Sequence, residues 1–288
     1  MVGLIACAGK STRLFPITKF LSKQLLPLYD KPLIYYPISM LIKAGITEIA
    51  IITNEENYEL YQKQLGDGSD YGIKLQYFID HNPMGTVGSF KVAKDFVKGK
   101  KVCFVLGDNF FYGEHFDEEL KKAVNNCNGA YVFGYPVKNP TAFGVADFDK
   151  SGNVTKLVEK PKNPPSNMAV TGIYVYDEKC LEYAEKCPLS PRGEYEVTDL
   201  NNMYLENKQL KLVKLSKKNY WLDAGNSEGL FKASEYVRKI IKNKKIQIGH
   251  LDEVAYNAGL ISKEKLKQNY EVLKKTDYGK YLEKYLKR

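Results

Sequence analysis

The sequence is poor in the residues that build metal cages and covalent staples, with five cysteines and three histidines in 288 residues. The cysteines (Cys7, Cys103, Cys127, Cys180 and Cys187) are odd in number, none forms a C-x-x-C pair, and two sit inside apolar runs. That excludes a disulfide scaffold and predicts reduced thiols, several of them in the core, of a cytoplasmic protein. His81, His115 and His250 lack metal-ligand spacing and carry no expected catalytic role. No apolar stretch approaches the length of a membrane span. Leu4-Ile5-Ala6-Cys7 could pass for a lipoprotein cleavage box, but it lacks a basic segment before it and is far too short, so a soluble, intracellular chain without a membrane partner is expected. Internal repeats and low-complexity tracts are also missing.

Charge is present but undirected. The 43 Lys and Arg against 34 Asp and Glu give a net charge of +9. The lysines are scattered, dense only near Lys98–Lys101, Lys217–Lys218 and Lys242–Lys245, and no RNA or DNA motif accompanies them. A solvated basic surface is expected, without a nucleic-acid partner. A hydrophobic content of 44% with 27% charged residues is that of an ordinary globular protein, long enough to bury a full core.

What the chain does have begins at its first residues. The apolar run Gly3-Leu4-Ile5-Ala6-Cys7 breaks into Ala8-Gly9-Lys10-Ser11-Thr12-Arg13-Leu14. A buried strand ending in a small-residue loop with two cations suits a phosphate chain, because loop N–H groups and cations can both face it. A nucleotide is therefore the first substrate to consider. The Walker pattern does not fit, since Gly3 is one residue too far from Gly9-Lys10-Ser11 and lies inside the strand. Further strand-like runs lie at Glu48–Thr53, Leu75–Ile79, Val102–Leu106 and Ala130–Tyr135. Amphipathic stretches alternate with them: Ile38, Leu41 and Ile42, closed by Gly45, then Phe116, Leu120 and Val124. This alternation predicts a parallel or mixed sheet with helices on both faces and ligands at the strands' carboxyl ends. After Pro136, short strands at Gly144–Phe148, Val154–Val158 and Val170–Tyr176 are split by turns; from Ser227 onward the pattern is helical.

Several polar residues could carry chemistry, each with a plainer explanation. Asp108 follows a strand and could hold Mg²⁺, or form a turn with Asn109. Asp223 is a second candidate metal ligand, or a helix cap. Lys23 could be a solvated lysine, and Glu159-Lys160 a surface ion pair.

In order, however, these residues resemble the sugar-1-phosphate nucleotidyltransferases, above all the short-form glucose-1-phosphate thymidylyltransferases. The matching stretches are Gly9 with Thr12-Arg13-Leu14 and Pro16, Ser22-Lys23-Gln24-Leu25-Leu26-Pro27, Tyr29-Asp30-Lys31-Pro32, Tyr35-Tyr36-Pro37 and Leu65-Gly66-Asp67-Gly68-Ser69. They continue through Leu106-Gly107-Asp108-Asn109, Phe143-Gly144-Val145, Glu159-Lys160-Pro161-Lys162, Ala169-Val170-Thr171-Gly172, Trp221-Leu222-Asp223 and Tyr278-Gly279-Lys280-Tyr281-Leu282.

The resemblance implies an α/β fold: a Rossmann-like mixed, mostly parallel sheet flanked by helices, with a small β insertion and a helical extension. It divides the chain into a nucleotidyltransferase core over 1–226, with sugar binding in 136–226, and an extension over 227–288. It implies a Mg²⁺-dependent enzyme of nucleotide-sugar biosynthesis that joins a nucleoside triphosphate (dTTP or UTP) to a sugar 1-phosphate (glucose 1-phosphate) and releases pyrophosphate. Arg13 and Lys23 would sit on the triphosphate and Lys160 on the sugar phosphate, while Asp108 and Asp223 would hold Mg²⁺. Ala8, Gly9, Ser11, Thr12, Asp80, Gly85 and Leu106 would bind substrate. Gly144, Glu159 and the Val170-Thr171 backbone would line the hexose. A homo-oligomer, tetramer or dimer, is implied as well.

Two departures bear on specificity. Ala8-Gly9-Lys10-Ser11 stands where the family has Gly-Gly-x-Gly, and Asp80 stands where a Gln reads the base. An ionised Asp only accepts hydrogen bonds, which suits the two-donor edge of guanine, and Pro83-Met84-Gly85-Thr86-Val87-Gly88 is similar to a guanylyltransferase loop. Alternatives to the leading reading are a guanylyl or other base specificity with a different hexose, a silent sugar-nucleotide sensor, and a P-loop NTPase that depends on Lys10.

Overall fold

The computed structural model describes residues 1–113 and 115–287. In chain order the strands are β1 Val2–Ala6, β2 Pro27–Leu28, β3 Lys31–Pro32, β4 Glu48–Thr53, β5 Lys74–Ile79, β6 Val102–Leu106 and β7 Asn109–Gly113. They continue as β8 Ala130–Pro136, β9 Gly144–Phe148, β10 Val154–Glu159, β11 Met168–Tyr176, β12 Leu210–Lys214 and β13 Asn219–Asp223. The helices are α1 Tyr35–Lys43, α2 Glu55–Leu65, α3 Gly88–Val92, α4 Lys94–Val97, α5 Phe116–Asn125 and α6 Cys180–Lys186. After them come α7 Val197–Glu206, α8 Ser227–Lys244, α9 Leu251–Asn257, α10 Lys263–Leu273, α11 Asp277–Lys280 and α12 Glu283–Leu286.

The apolar runs become the sheet. Its order is β10-β9-β11-β6-β1-β4-β5, with β8 against β11 and β12 outside β8. β5, β4, β1 and β6 run parallel, and β11 turns the sheet antiparallel by pairing with β6. The sheet is therefore mixed, as expected. Core residues cover both faces. Ile38, Leu41, Tyr61, Phe116 and Leu120 pack on one side with Ile5 and Ile51; Phe90, Val97, Leu181, Leu200 and Tyr204 pack on the other with Leu4 and Phe104. Gly45 closes α1 at φ 83, a left-handed backbone that suits glycine.

The helical tail is built into the same interior. Ala233 and Val237 of α8 share a core with Leu28, Leu33, Tyr36 and Phe110, and Leu251 and Val254 of α9 join the core of β1 and α1. Lys31, buried on the β2–β3 hairpin, pairs with Asp30 and lies over the rings of Tyr36 and Tyr278 at 5.3 and 5.7 Å. His250 is fully buried and stacks on Tyr278 with ring centroids 3.7 Å apart. Burial pushes its imidazole down to about 3, so it is neutral at physiological pH. Among the described residues no helix is long and apolar enough to cross a membrane.

Candidate active site

The expected site residues fall in order across one edge of the sheet. Asp80 follows β5, the Ala8–Thr12 loop follows β1, and Asp108 follows β6. Val170 on β11 pairs with Gly144 on β9, which pairs with Glu159 on β10. Neighbouring strands are about 4.8 Å apart, so these residues are spread over roughly 30 Å of sheet edge from β5 to β10.

At one end, Ala8, Gly9, Ser11, Thr12 and Asp80 line a cavity of about 750 Å³ with Asn54, Asn57, His81 and Pro83. Ser11 adopts φ 54, which explains why glycine is usual there; the serine takes a left-handed backbone at a cost of about 1 kcal/mol. Its Oγ turns back to donate to the Gly9 carbonyl at 3.2 Å. Lys10 also lines the cavity, but the loop runs on into a single 3₁₀ turn, Thr12–Leu14. A P-loop needs a helix there to point its N–H groups at the phosphates, so that alternative fails. Asp80 is buried, and burial raises its carboxyl. Its Oδ1 accepts from Asn82 N–H at 3.1 Å. Gly85 lies outside the cavity's lining: its loop is held to β-like contacts with Tyr195, whose N–H donates to Met84 O at 2.8 Å.

At the centre, β7 and β13 form an antiparallel ribbon with Asp223 opposite Asn109. This pairing brings Asp108 and Asp223 together across more than a hundred residues of chain. A methyl carbon placed on Gly225 would lie 2.7 Å from Asp223 Oδ1, 2.8 Å from Arg13 Nη2 and 3.2 Å from Asp108 Oδ2. Lys23 Nζ donates to Asp108 Oδ2. Lys23 holds the Asp108 carboxyl below its ordinary value, against the burial that would raise it. Asp223 is pushed up to about 6, first by burial and then by the Asp108 charge. Asp108 is paired with Lys23 while Asp223 forms no salt bridge among the described residues, and such a carboxylate pair fits a divalent ion: Mg²⁺ commonly uses one or two carboxylates plus substrate phosphates. Among the described residues no group of three or more His, Cys, Asp or Glu is placed to cage a metal unaided.

Asn109 fixes this centre, a role hidden when Asp108-Asn109 is read as a turn. Its Nδ2 donates to Asp108 Oδ1 at 3.0 Å, while its Oδ1 accepts from Trp221 Nε1 at 2.6 Å and Gly172 N–H at 3.1 Å. A methyl on Gly172 would meet Asn109 Cγ at 2.5 Å. Gly172→Ala is therefore expected to displace Asn109 and lower kcat about 10- to 100-fold, more than it raises KM; steady-state kinetics read this directly.

At the other end, Glu159 accepts from Thr198 Oγ1, and Lys160 Nζ lies 3.5 Å from Glu159 Oε1. A methyl on Gly144 would come within 3.3 Å of Glu159 Oε2, so glycine keeps open the space beside that carboxylate. Thr171 is buried beside Gly172, and its hydroxyl has no hydrogen-bond partner among the described residues. Leu106 is half-buried at the end of β6. Arg192, which the sequence did not single out, lies 3.6 Å from Glu159 and 3.3 Å from Glu196 and adds a cation at this end.

A small-residue loop, two convergent aspartates with flanking cations, and a carboxylate-lined polar niche are set side by side on a mixed α/β sheet. The nucleotidyl transferase family profile matches residues 2–240. The chain is 44% identical to a glucose-1-phosphate thymidylyltransferase of Neisseria gonorrhoeae over 98% of each protein. It is 45% identical to one of Xanthomonas campestris over 99% of this chain and 97% of that one. A Bacillus anthracis structure assigned to the same activity and solved with sucrose superposes with a TM-score of 0.77 at 36% identity, over 83% of this chain and 96% of that one. The chain belongs to the glucose-1-phosphate thymidylyltransferase family and is a nucleotidyltransferase.

Proposed function

We propose that this enzyme converts glucose 1-phosphate and dTTP into dTDP-glucose and pyrophosphate with Mg²⁺, with residues 1–226 as catalytic core and 227–288 as a bracing extension. The observation that carries this reading is the meeting of Asp108, Asp223 and Arg13 beside Gly225, with Lys23 on Asp108. A phosphate oxygen of glucose 1-phosphate attacks the α-phosphorus, the new P–O bond forms in line, and the bond to the β-phosphate oxygen breaks to release pyrophosphate. The nucleophile is largely dianionic at neutral pH, its second pKa being about 6, so no side chain has to remove a proton. The barrier is the approach of two polyanions.

Arg13 stabilises the charge that builds on the α-phosphate, and Lys23 neutralises the triphosphate beside it. Lys160 draws the sugar phosphate in, while Glu159 accepts from hexose hydroxyls. Asp108 and Asp223 would hold Mg²⁺, which supplies charge neutralisation at the α-phosphate when bound.

Asp80 lines the nucleotide cavity as an acceptor, and the choice of dTTP is supported by the glucose-1-phosphate thymidylyltransferases to which the chain is 44–45% identical. Pyrophosphate release with dTTP, UTP and GTP against several sugar 1-phosphates tests the whole reading. Fastest turnover with dTTP and glucose 1-phosphate is expected. A GTP preference would move the enzyme to the guanylyltransferases, and tight sugar-nucleotide binding without turnover of any pair would make it a sensor. The family resemblance also supports a homo-oligomer, which light scattering reads.

A further inference from the structure

Lys23 can act on phosphate only if its short turn is held still, and the turn does not hold itself. Lys23–Leu25 is a single 3₁₀ turn, and the residue before it, Ser22, makes no side-chain cap. Instead, Ser22 faces α2. Its N–H donates to Asn57 Oδ1 at 2.7 Å, and its Oγ donates to Gln24 Oε1 at 2.6 Å. The single hydroxyl proton of Ser22 is thereby used, so the 2.8 Å contact between Ser22 Oγ and Tyr61 has the tyrosine O–H as donor. Burial and the neighbouring Cys7 raise the Tyr61 hydroxyl well above its usual value, which keeps that proton in place.

The remaining partners are equally fixed. Asn57 donates its Nδ2 to Asn54 Oδ1 at 2.8 Å, which orients its carbonyl oxygen toward Ser22. Cys7, Ser22, Gln24, Asn57 and Tyr61 are all at most 5% exposed, so each bond replaces water that cannot reach the site. Asn57 and Tyr61 are four residues apart on one face of α2. The first turn of that helix, Asn54 to Asn57, also walls the nucleotide cavity. One rigid element therefore touches both the cavity and the Lys23 turn.

We propose that Tyr61 and Asn57 are positioning residues that aim Lys23 at the nucleotide phosphates, a role that rests on the nucleotidyl-transfer reading of Lys23. Tyr61 lies outside the cavity lining and acts through Ser22; Asn57 acts through Ser22 while its turn of helix walls the cavity.

A double-mutant cycle tests this. Tyr61→Phe keeps the ring and removes only the donor. It is expected to lower kcat/KM for dTTP about 10- to 100-fold in the wild-type background. In a Lys23→Ala background, where there is no ammonium left to aim, the same change should alter kcat/KM by less than about twofold. Asn57→Ala reaches Ser22 by a different bond and, since Asn57 also walls the cavity, should lose clearly less in the Lys23→Ala background than in the wild type, so the cycle can be completed if Tyr61→Phe folds poorly. Equal losses in the two backgrounds, or no loss in the wild-type background, would overturn the positioning role alone. Full activity of Lys23→Ala would overturn the role of Lys23 in the reaction, and the positioning role with it.

Discussion

Arg13→Ala is expected to lower kcat by about 10²- to 10⁴-fold, with a much smaller change in KM for either substrate. Arg13 is exposed on the opening loop, yet its Nη2 reaches the point beside Gly225 that Asp108 and Asp223 share. A solvated lysine or arginine contributes little to binding, and a cation aimed at charge that develops only in the transition state contributes several kcal/mol. The difference should appear in kcat rather than KM, because on the proposed roles the ground-state triphosphate would keep Lys23 and the loop N–H groups. Lys10→Ala serves as the contrast. Its side chain lines the cavity outside the carboxylate centre, so a loss of roughly tenfold at most is expected from removing one exposed phosphate contact. Steady-state kinetics of the two variants, side by side, decide whether the loop works through its arginine.

The second large effect is at Asp223. Asp223→Asn is expected to lower kcat/KM by about 10²- to 10⁴-fold, since it would remove half of the carboxylate pair proposed to hold the divalent ion. The same change should stabilise the metal-free protein. The folded chain binds the Asp223 proton more tightly than an unfolded chain does, the carboxyl being raised from 3.8 to about 6. Folding is therefore favoured by protonation and opposed by ionisation of this group. Above about pH 6 the native state carries a buried charge next to Asp108, at a cost on the order of 1–3 kcal/mol that asparagine avoids. In a chain of this length that corresponds to several degrees in Tm. The gain should be full above pH 6, shrink between pH 6 and 4 as wild-type Asp223 takes up its proton, and vanish below. Thermal unfolding of both proteins in EDTA across that range measures it. Adding Mg²⁺ and nucleotide should raise the wild-type Tm more than the variant's, whose remaining gain comes from the nucleotide alone.

Much of this molecule could be read from its sequence because the signals are local. The strand runs and the stripes of α1 and α5 repeat at short intervals, and the structure keeps them to within a residue or two. Asp108 was visible for the same reason: it stands directly after an apolar run. The link to Asp223 was not. Asn109–Gly113 and Asn219–Asp223 are short ribbon strands with no apolar alternation of their own, and their pairing joins distant parts of the chain. Only the resemblance put the two aspartates in one site. β12 was missed because Lys211 and Lys214 break its apolar pattern, although it extends the sheet parallel to β8. Arg192 lies in a turn-rich stretch where no periodicity marks a functional side chain. The Asn109, Ser22 and Tyr61 contacts depend on which buried polar groups meet, and no spacing rule specifies that.

The most direct measurement of the central idea is anomalous diffraction from crystals soaked with Mn²⁺ and dTTP. One strong peak is expected between the Asp108 and Asp223 carboxylates, lost in Asp223→Asn crystals. A peak elsewhere, or full turnover from protein whose two aspartates bind no metal, would contradict a carboxylate-held divalent ion as the centre of this site.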